Sequence, residues 1–109
     1  MMVSDTTVQQ AAKYILENLD RRGLSVHEVA RAVYISERQF YRHLKKTTGM
    51  TPYLFIQKIR LQEAKHLADE KAVDSIEELA RSVGYTRADH FVHLFSRKFG
   101  RHPQDILDS

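Results

Sequence analysis

The stretch Ile76-Glu-Glu-Leu-Ala-Arg-Ser-Val-Gly-Tyr85 repeats a pattern that the chain already carries fifty residues earlier. The earlier copy reads Val26-His-Glu-Val-Ala-Arg-Ala-Val-Tyr-Ile35 and has apolar residues at the same positions around the same Ala-Arg pair. A solenoid needs about three or more such repeats, so two copies do not predict one. The sequence instead predicts one supersecondary unit that occurs twice in a small domain of 109 residues.

Each copy continues into a second, longer helix. Phe40 and Leu44, four residues apart, recur fifty-one residues later as Phe91 and Phe95, which indicates an insertion near the start of the second helix of the second copy. This spacing places each pair on one face of a helix, the face that we expect to be buried. The residues predicted as core on these helices are Phe40, Leu44, Phe91, Phe95 and Phe99.

Serine and glutamate three residues apart mark the start of the short first helix of each copy. In such a capping box the hydroxyl accepts a hydrogen bond from a free backbone N–H, and the carboxylate accepts one in return. The boxes are Ser25 with Glu28, opening a helix over about 26–33, and Ser75 with Glu78, opening one over about 76–83.

The longer helices carry their own start and stop signals. Ser36 and Thr86 supply hydroxyl oxygens at the expected N-cap positions. Gly49 and Gly100 follow the last helical residues, where glycine adopts the left-handed backbone that ends many helices. The sequence therefore predicts that the second helix of each copy runs from the hydroxyl cap to the glycine.

The turn between the two helices differs between the copies. The second copy has Gly84 at a position that favours a left-handed backbone, and the first copy has Tyr34 there. This conformation costs a residue with a side chain about 1 kcal/mol relative to glycine. We therefore expect a strained turn at Tyr34 unless its ring packs into the core.

Three further helices complete a predicted all-α fold of about seven helices. Thr51 and Pro52 begin a central helix over about 52–69, since proline suits the first helical position. A short last helix begins at Pro103, and no segment alternates apolar and polar residues as a strand does. The N-terminal helix is amphipathic, with an apolar stripe formed by Val8, Ala11, Ala12, Ile15, Leu16 and Leu19.

Positive charge is concentrated in two blocks. The net charge of the chain is only +3, but residues 37–65 sum to +5 and residues 84–103 to +3, while residues 66–83 sum to −3. Two basic blocks are expected if two surfaces each meet nucleic-acid phosphate. The cations of the first block are Arg38, Arg42, Lys45, Lys46, Lys58, Arg60 and Lys65.

A capped short helix, a turn and a capped longer helix form a helix-turn-helix. With its apolar side buried, each longer helix presents a polar and basic face. An exposed helix of this kind enters the major groove of DNA and contacts base edges. The outward residues are Arg38, Tyr41, Arg42 and Lys45 in the first copy and Arg87, Asp89, His90 and His93 in the second.

The sequence resembles the DNA-binding domain of the AraC/XylS family of bacterial transcription regulators over roughly residues 7–107, so that 1–109 is one domain. The resemblance implies helix-turn-helix subdomains at 7–50 and 71–107, bridged by one long helix within 51–70. It also implies that the two recognition helices enter successive major grooves on one face of the DNA. The stretches that carry it are 24–33, 40–44, 49–52, 60–64 and 76–85, followed by Phe91, Phe95, Phe99, Gly100 and Pro103.

The family's functional positions fall on named residues of this chain. The resemblance implies base readers on both recognition helices, and phosphate contacts from flanking cations and capped helix N-termini. Long donors on the first helix and shorter or apolar residues on the second predict that the first copy reads sequence while the second mainly contacts phosphate. The implied base readers are Arg38, Tyr41, Arg42, Arg87, Ala88, Asp89, Val92 and His93, and the implied backbone contacts are Ser36, Lys45, Lys46, Thr86, Arg97 and Lys98.

Other functions lack the residues that they need. The chain has no cysteine, and it has no phosphate-binding loop, nucleophile elbow or paired catalytic carboxylates, so an enzyme is not expected. His90 and His93 lie one turn apart without a third ligand, so neither a metal nor a cofactor is expected. No apolar run reaches the length of a membrane span, and residues 1–5 lack the apolar stretch of a signal peptide. These absences predict a cytoplasmic protein, and the resemblance implies a bacterial one associated with the nucleoid.

The sequence predicts a regulator that binds specific double-stranded DNA, with an activator favoured and RNA polymerase as a partner. The alternative is a helical protein-interaction module that binds DNA only nonspecifically. Arginines on the outward faces favour specific DNA binding. The domain is either a stand-alone regulator or the C-terminal output domain of a longer protein with an N-terminal sensory or receiver domain, and the stretch 39–49 favours an output domain of a two-component regulator.

Overall fold

The computed structural model describes residues 5–21 and 23–109, without the side chain of Asp5. These described residues form seven α-helices and no β-strand, which confirms the predicted all-α class. Residues 1–4, which belong to the stretch predicted to lack a signal peptide, lie outside the described residues. The helices are α1 (Asp5–Glu17), α2 (Val26–Ala32), α3 (Glu37–Thr48), α4 (Pro52–Asp69), α5 (Ile76–Ser82), α6 (Ala88–Phe99) and α7 (Pro103–Asp108).

The described residues divide into two compact units. The first unit contains residues 5–18 and 23–59, and the second unit contains residues 19–21 and 60–109. The division falls within α4, whose beginning belongs to the first unit and whose end belongs to the second. Each unit contains one helix-turn-helix, formed by α2 and α3 in the first unit and by α5 and α6 in the second.

The core of the first unit forms where the apolar faces of its helices meet. Phe40 and Leu44 of α3 are fully buried, as their four-residue spacing predicts. The hydroxyl of Tyr14 in α1 donates a hydrogen bond to the carboxylate of Glu28 in α2, which joins these two helices. The other buried apolar side chains of this unit are Ala11, Ile15, Leu24, Val29, Ala30, Val33, Pro52, Phe55, Ile56 and Ile59.

The apolar stripe of α1 differs from the prediction at two positions. Leu16 is 49% exposed, because it lies at the margin of a face whose centre is occupied by Ala11 and Ile15. The helix ends at Glu17, so Leu19 follows it and is buried in the second unit. The predicted amphipathic helix is present, but its buried face is narrower than the sequence suggests.

Aromatic side chains form the centre of the second unit. The ring centroids of Phe91 and Phe95 lie 5.7 Å apart, and those of Phe95 and Phe99 lie 4.7 Å apart. The first two side chains are fully buried, whereas Phe99, also predicted as core, is only half-buried because it is the last residue of α6. The other buried apolar residues of this unit are Leu19, Leu61, Ala64, Ala68, Ile76, Leu79, Ala80, Val83, Pro103 and Ile106.

The short helices begin after the predicted serines, but their glutamates have other partners than a capping box requires. The Oγ of Ser25 accepts a hydrogen bond from the Glu28 N–H at 3.0 Å, and the Oγ of Ser75 accepts one from the Glu78 N–H at 3.1 Å. The Glu78 carboxylate accepts a hydrogen bond from the backbone N–H of Asp74 at 2.9 Å. The Glu28 carboxylate accepts one from the Tyr14 hydroxyl of α1. The carboxylate predicted to cap α2 therefore forms a contact between two helices.

The longer helix of the first unit begins with a complete capping box. The Oγ of Ser36 accepts a hydrogen bond from the Gln39 N–H at 3.1 Å, and the Ser36 N–H donates one to Gln39 Oε1 at 3.0 Å. These two hydrogen bonds satisfy the backbone N–H groups of Ser36 and Gln39, which have no partner within the helix.

The predicted cap at Thr86 is wrong. Helix α6 begins later, with Arg87 as its N-cap and without a hydrogen bond from the cap side chain. Arg87 lies four residues before the buried Phe91, as Ser36 lies four residues before Phe40. The helix therefore keeps its register with the buried phenylalanine, and the inserted residue moves the hydroxyl of Thr86 out of the cap position.

Left-handed backbone occurs where the sequence predicts it. Gly49 and Gly100 end α3 and α6 with φ angles of 77° and 70°. Tyr34 has a φ of 64°, which confirms the predicted left-handed turn, and its side chain is 93% exposed rather than packed in the core. Its counterpart Gly84 has a φ of 92°.

Arg60 is the one buried charged side chain among the described residues. Its Nη1 donates hydrogen bonds to the backbone oxygens of Leu19 and Val83, both at 2.6 Å, and its Nη2 donates one to the oxygen of Arg21 at 3.4 Å. Burial lowers the pKa of the Arg60 guanidinium. A Cβ at Gly84 would lie 1.8 Å from Arg60 Nη1, so this packing requires glycine in the turn.

Candidate nucleic-acid interface

In the first unit, the side of α3 opposite its buried face is polar and basic. Arg38, Tyr41 and Arg42 are exposed there. Because Phe40 and Leu44 hold the opposite face in the core, Arg38 and Arg42 lie one turn apart on the outward face. The base readers predicted for the first copy therefore share one exposed helix surface.

Arg38 and Arg42 have their donors available. Among the residues that the structure describes, neither side chain makes a hydrogen bond or an ion pair. A guanidinium has five N–H donors, and two of them match the N7 and O6 acceptors of guanine. The outward face of α3 can therefore form bidentate contacts with base edges.

Two lysines extend this face toward the end of α3. Lys45 and Lys46 are exposed in its last turn, and Lys45 Nζ donates a hydrogen bond to the backbone oxygen of Gly49 at 3.3 Å. Lys46 and Arg42 border a shallow depression of about 250 Å³. At the other end of the helix, Ser36 is exposed, and its hydroxyl oxygen already accepts the capping hydrogen bond.

The second unit holds a charged pair at the start of α6. Arg87 Nη2 donates a hydrogen bond to Asp89 Oδ2 at 2.6 Å, and Arg87 Nε donates one to Asp89 Oδ1 at 3.2 Å. The two side chains are 73% and 70% exposed. The hydrogen bond from Arg87 holds the pKa of Asp89 below its usual value and raises the pKa of Arg87. Two of the predicted base readers are therefore already bound to each other.

The remaining predicted readers of α6 are smaller or less exposed. Ala88 and Val92 are half-buried, and His93 is exposed. Cations in the last turn of a helix interact favourably with the helix dipole and can also contact phosphate. The predicted phosphate contacts of this unit, all exposed, are Thr86, Arg97 and Lys98.

Arg60 does not belong to this surface, although it lies in the basic block 37–65. Its side chain is 8% exposed and donates to backbone oxygens, which removes it from contact with phosphate. The sequence does contain a signal for this burial, because Arg60 lies four residues before Ala64 on the apolar stripe of the central helix.

Residues 5–21 and 23–109 contain neither a metal-binding cluster nor a membrane-spanning helix. In those ranges no three His, Asp or Glu side chains are grouped so that they could hold a metal ion. No helix in the same ranges has both the length and the apolar character needed to cross a bilayer. His90 instead packs edge-on against Tyr85, with ring centroids 6.0 Å apart.

Similarity to known proteins agrees with this arrangement. A family model described as a helix-turn-helix domain matches residues 29–109. The HTH-type transcriptional activator RhaS of Escherichia fergusonii is 35% identical over 91 residues, which make up 84% of this chain and 32% of RhaS. The chain therefore spans about a third of the length of this relative.

Two solved structures of regulator domains superpose on almost the whole chain. The C-terminal domain of AraT, a response regulator from Geobacillus stearothermophilus, has a TM-score of 0.79 and 25% identity, covering 94% of this chain and 84% of that one. The DNA-binding domain of AdpA, a global transcriptional factor seen in complex with a target DNA, has a TM-score of 0.80 and 25% identity, covering 96% and 92%. Together with the duplicated helix-turn-helix and its basic outward faces, these matches confirm the resemblance noted in the sequence. The chain belongs to the AraC/XylS family, as one of its double helix-turn-helix DNA-binding domains.

Proposed function

We propose that this chain is the DNA-binding part of a transcription activator that recognises a specific double-stranded sequence. The observation that carries the proposal is the outward face of α3, where Arg38 and Arg42 are exposed and, in the described part of the chain, unpaired. Membership of a family of transcription regulators supports DNA binding, and the activator RhaS among its relatives supports activation.

The first unit is expected to read sequence. Arg38 and Arg42 donate to base edges, with each bidentate contact to guanine discriminating by about 1–3 kcal/mol, and Tyr41 contacts a base between them. Lys45 and Lys46 contact phosphate, as do the free N–H groups at the capped start of α3. These contacts determine both the register of the helix on the duplex and its base preference.

The second unit is expected to contribute more to phosphate contact than to base reading. Arg97 and Lys98 supply exposed cations at the end of α6. Ala88, Val92 and His93 are short, apolar or limited in their donors, so they discriminate between bases less strongly than arginine does. This division of labour is part of the proposal.

Each unit carries its own recognition helix, so we propose that one chain occupies two half-sites. Successive major grooves on one face of DNA are separated by one helical turn, roughly 10 bp. In this arrangement one chain supplies both recognition helices, whereas in a dimeric repressor each subunit supplies one. Binding by the second unit then benefits from the high effective concentration that its link to the first unit creates.

The proposal extends to partners beyond the domain. Because the chain spans 32% of RhaS, we propose that it acts as an output domain joined to an N-terminal sensory or receiver domain. The similarity to a C-terminal domain of a response regulator supports the receiver arrangement. In the bacterial nucleoid the bound domain would recruit RNA polymerase, and we propose no catalytic role for it.

A protein-interaction module with only nonspecific DNA binding is the second candidate. It is favoured by Tyr53 and Leu54 at the start of α4, which are 65% and 47% exposed. Tyr53 also borders a shallow groove of about 450 Å³ together with Tyr41. An exposed apolar patch of this kind is typical of a protein-contact surface.

Selection of bound duplexes from a random pool separates the two candidates. The activator proposal predicts a selected consensus that competes far better than a scrambled duplex of the same composition, whereas equal competition would support the interaction module. Insertion of about half a helical turn between the selected half-sites should weaken binding by about a hundredfold or more, because the linked contribution of the second unit is lost. Unchanged affinity after this insertion would refute the two-groove arrangement.

A further inference from the structure

We propose that Asp89 is a positioning residue, which holds the Arg87 guanidinium in the orientation needed to contact one guanine in the half-site of the second unit. This inference rests on the proposed function and adds to it a specific reader and its support. It assigns the base preference of the second unit to a single base pair, so phosphate contact remains the larger role of that unit.

The geometry of the Arg87–Asp89 pair leaves free the guanidinium donors that can bind guanine. Asp89 binds the side of the guanidinium that carries Nε and one N–H of Nη2, at 3.2 Å and 2.6 Å. The two N–H groups of Nη1 and the second N–H of Nη2 lie in the same plane and point away from the carboxylate. Two of these donors, on adjacent nitrogens, match the N7 and O6 acceptors of guanine. The carboxylate of Asp89 therefore occupies one edge of the guanidinium and leaves the edge formed by Nη1 and Nη2 free to contact a base.

The position of the pair fits a role at a base edge. Arg87 is the N-cap of α6 with an extended backbone, and Asp89 lies in the first turn. The N-terminal residues of a recognition helix are those that contact base edges in helix-turn-helix proteins. Both side chains are about 70% exposed, so DNA can reach them without rearrangement of the unit.

Charge supports the same assignment. An unpaired carboxylate on a DNA-facing helix would be repelled by phosphate, whereas Asp89 is neutralised by Arg87. The bound carboxylate also restricts an arginine side chain that otherwise has many rotamers, which lowers the entropy lost on binding. Arg38 and Arg42 of the first unit have no such partner in the described ranges, so their orientation must be established when they meet DNA.

The test compares the wild-type chain with Arg87→Ala, Asp89→Ala and the double variant. Each is measured against the duplex selected by the wild type and against its single-base substitutions in the second half-site, at fixed salt. Asp69→Ala is the matched control, because Asp69 forms an exposed ion pair with Lys65 at 2.8 Å in the same unit and belongs to α4, not to the recognition helix α6. Circular dichroism checks that every variant folds.

We expect Arg87→Ala to remove a preference of about 5- to 150-fold for guanine at one base pair. Asp89→Ala should reduce the preference at that same base pair by about tenfold, while affinity for all duplexes rises because a negative charge is removed. The double variant should discriminate no less than Arg87→Ala alone, since Asp89 acts through Arg87. Asp69→Ala should leave base preference unchanged.

Other results would overturn the inference and leave the proposed function standing. Loss of preference at a different base pair in Asp89→Ala would make Asp89 a direct reader. A uniform loss of affinity in Arg87→Ala, with a salt slope lower by about one, would make Arg87 a phosphate contact. Equal behaviour of Asp89→Ala and Asp69→Ala would make the pair a surface ion pair without a role in recognition. Absence of any sequence preference in the wild type would instead refute the proposed function itself.

Discussion

The turns of the two helix-turn-helix units adopt the same left-handed backbone with different side chains. Tyr34 in the first unit has a φ of 64° and a side chain that is 93% exposed. Gly84 in the second unit has a φ of 92°, and a Cβ there would lie 1.8 Å from Arg60 Nη1 and 2.3 Å from the backbone oxygen of Leu19. A left-handed turn therefore accepts a side chain that solvent surrounds, whereas a buried guanidinium against the turn requires glycine.

The recognition helices also begin differently. Helix α3 starts with a complete capping box between Ser36 and Gln39, which satisfies free backbone groups. Helix α6 starts at Arg87 without a side-chain cap, and Arg87 binds Asp89 instead. The first unit combines local helix stabilisation with free arginines, while the second uses its helix start for a charged pair. This contrast predicts different responses of the two units to matched substitutions.

Gly84→Ala is expected to have the largest effect. The added methyl group overlaps the Arg60 guanidinium and the Leu19 backbone oxygen, so the buried cation must lose hydrogen bonds or move. We expect the free energy of unfolding to fall by about 3–5 kcal/mol, measured by urea denaturation. Tyr34→Ala is the matched control and should change it by no more than about 0.5 kcal/mol. A loss below about 1 kcal/mol at Gly84 would mean that Arg60 moves aside and that the two turns are equivalent.

Arg42→Ala and Lys98→Ala test the division of labour between the units. The first substitution should remove about 1–3 kcal/mol of base discrimination in the first half-site, because a bidentate donor is lost. The second should weaken binding to all duplexes alike and lower the salt slope by about one. A single-base substitution scan at fixed salt, followed by a salt titration, measures both effects. The proposed division of labour would be wrong if base preference in the second half-site equalled or exceeded that in the first.

Ser36→Ala and Arg87→Ser test the two helix starts in opposite directions. Loss of the capping hydroxyl should destabilise the protein by about 1 kcal/mol. A hydroxyl introduced at the N-cap of α6 should stabilise it by up to about 1 kcal/mol, because that position has no side-chain cap. Thermal unfolding of both variants gives the comparison. If Arg87→Ser lowers stability, the ion pair with Asp89 contributes more to the helix start than a cap does.

Tyr34→Gly should give the smallest effect, a gain of up to about 1 kcal/mol from relief of the left-handed backbone. The gain is limited because glycine also increases the entropy of the unfolded chain. Tyr34→Ala keeps the strain and removes the ring, so it serves as the control. A melting temperature that rises for glycine and not for alanine supports backbone strain. A clear loss in both variants would show that the exposed ring contributes to stability.

Much of the fold could be predicted because its causes are local. The helix ends depend on residues within about one turn of each other, as the serine caps at Ser25, Ser36 and Ser75 and the glycines after α3 and α6 show. The four-residue spacing of Phe40 and Leu44 predicts their burial, and that burial directs Arg38 and Arg42 outward. The polar face of α3 therefore follows from the sequence alone.

Only the tertiary structure decided two kinds of feature. One is a contact between residues far apart in the chain, and the other is a helix start that the inserted residue shifts. Arg60 lies in a basic block and on the apolar stripe of α4, but the sequence does not show its acceptors Leu19 and Val83, which lie 41 and 23 residues away. The insertion in the second copy does not show whether Thr86 or Arg87 caps α6, because the burial of Phe91 sets the helix register. The sequence determined helices and faces because hydrogen bonds within one turn and apolar periodicity act locally. The tertiary structure decided which charges are buried and which are paired, because those outcomes depend on groups that meet only when the chain is folded.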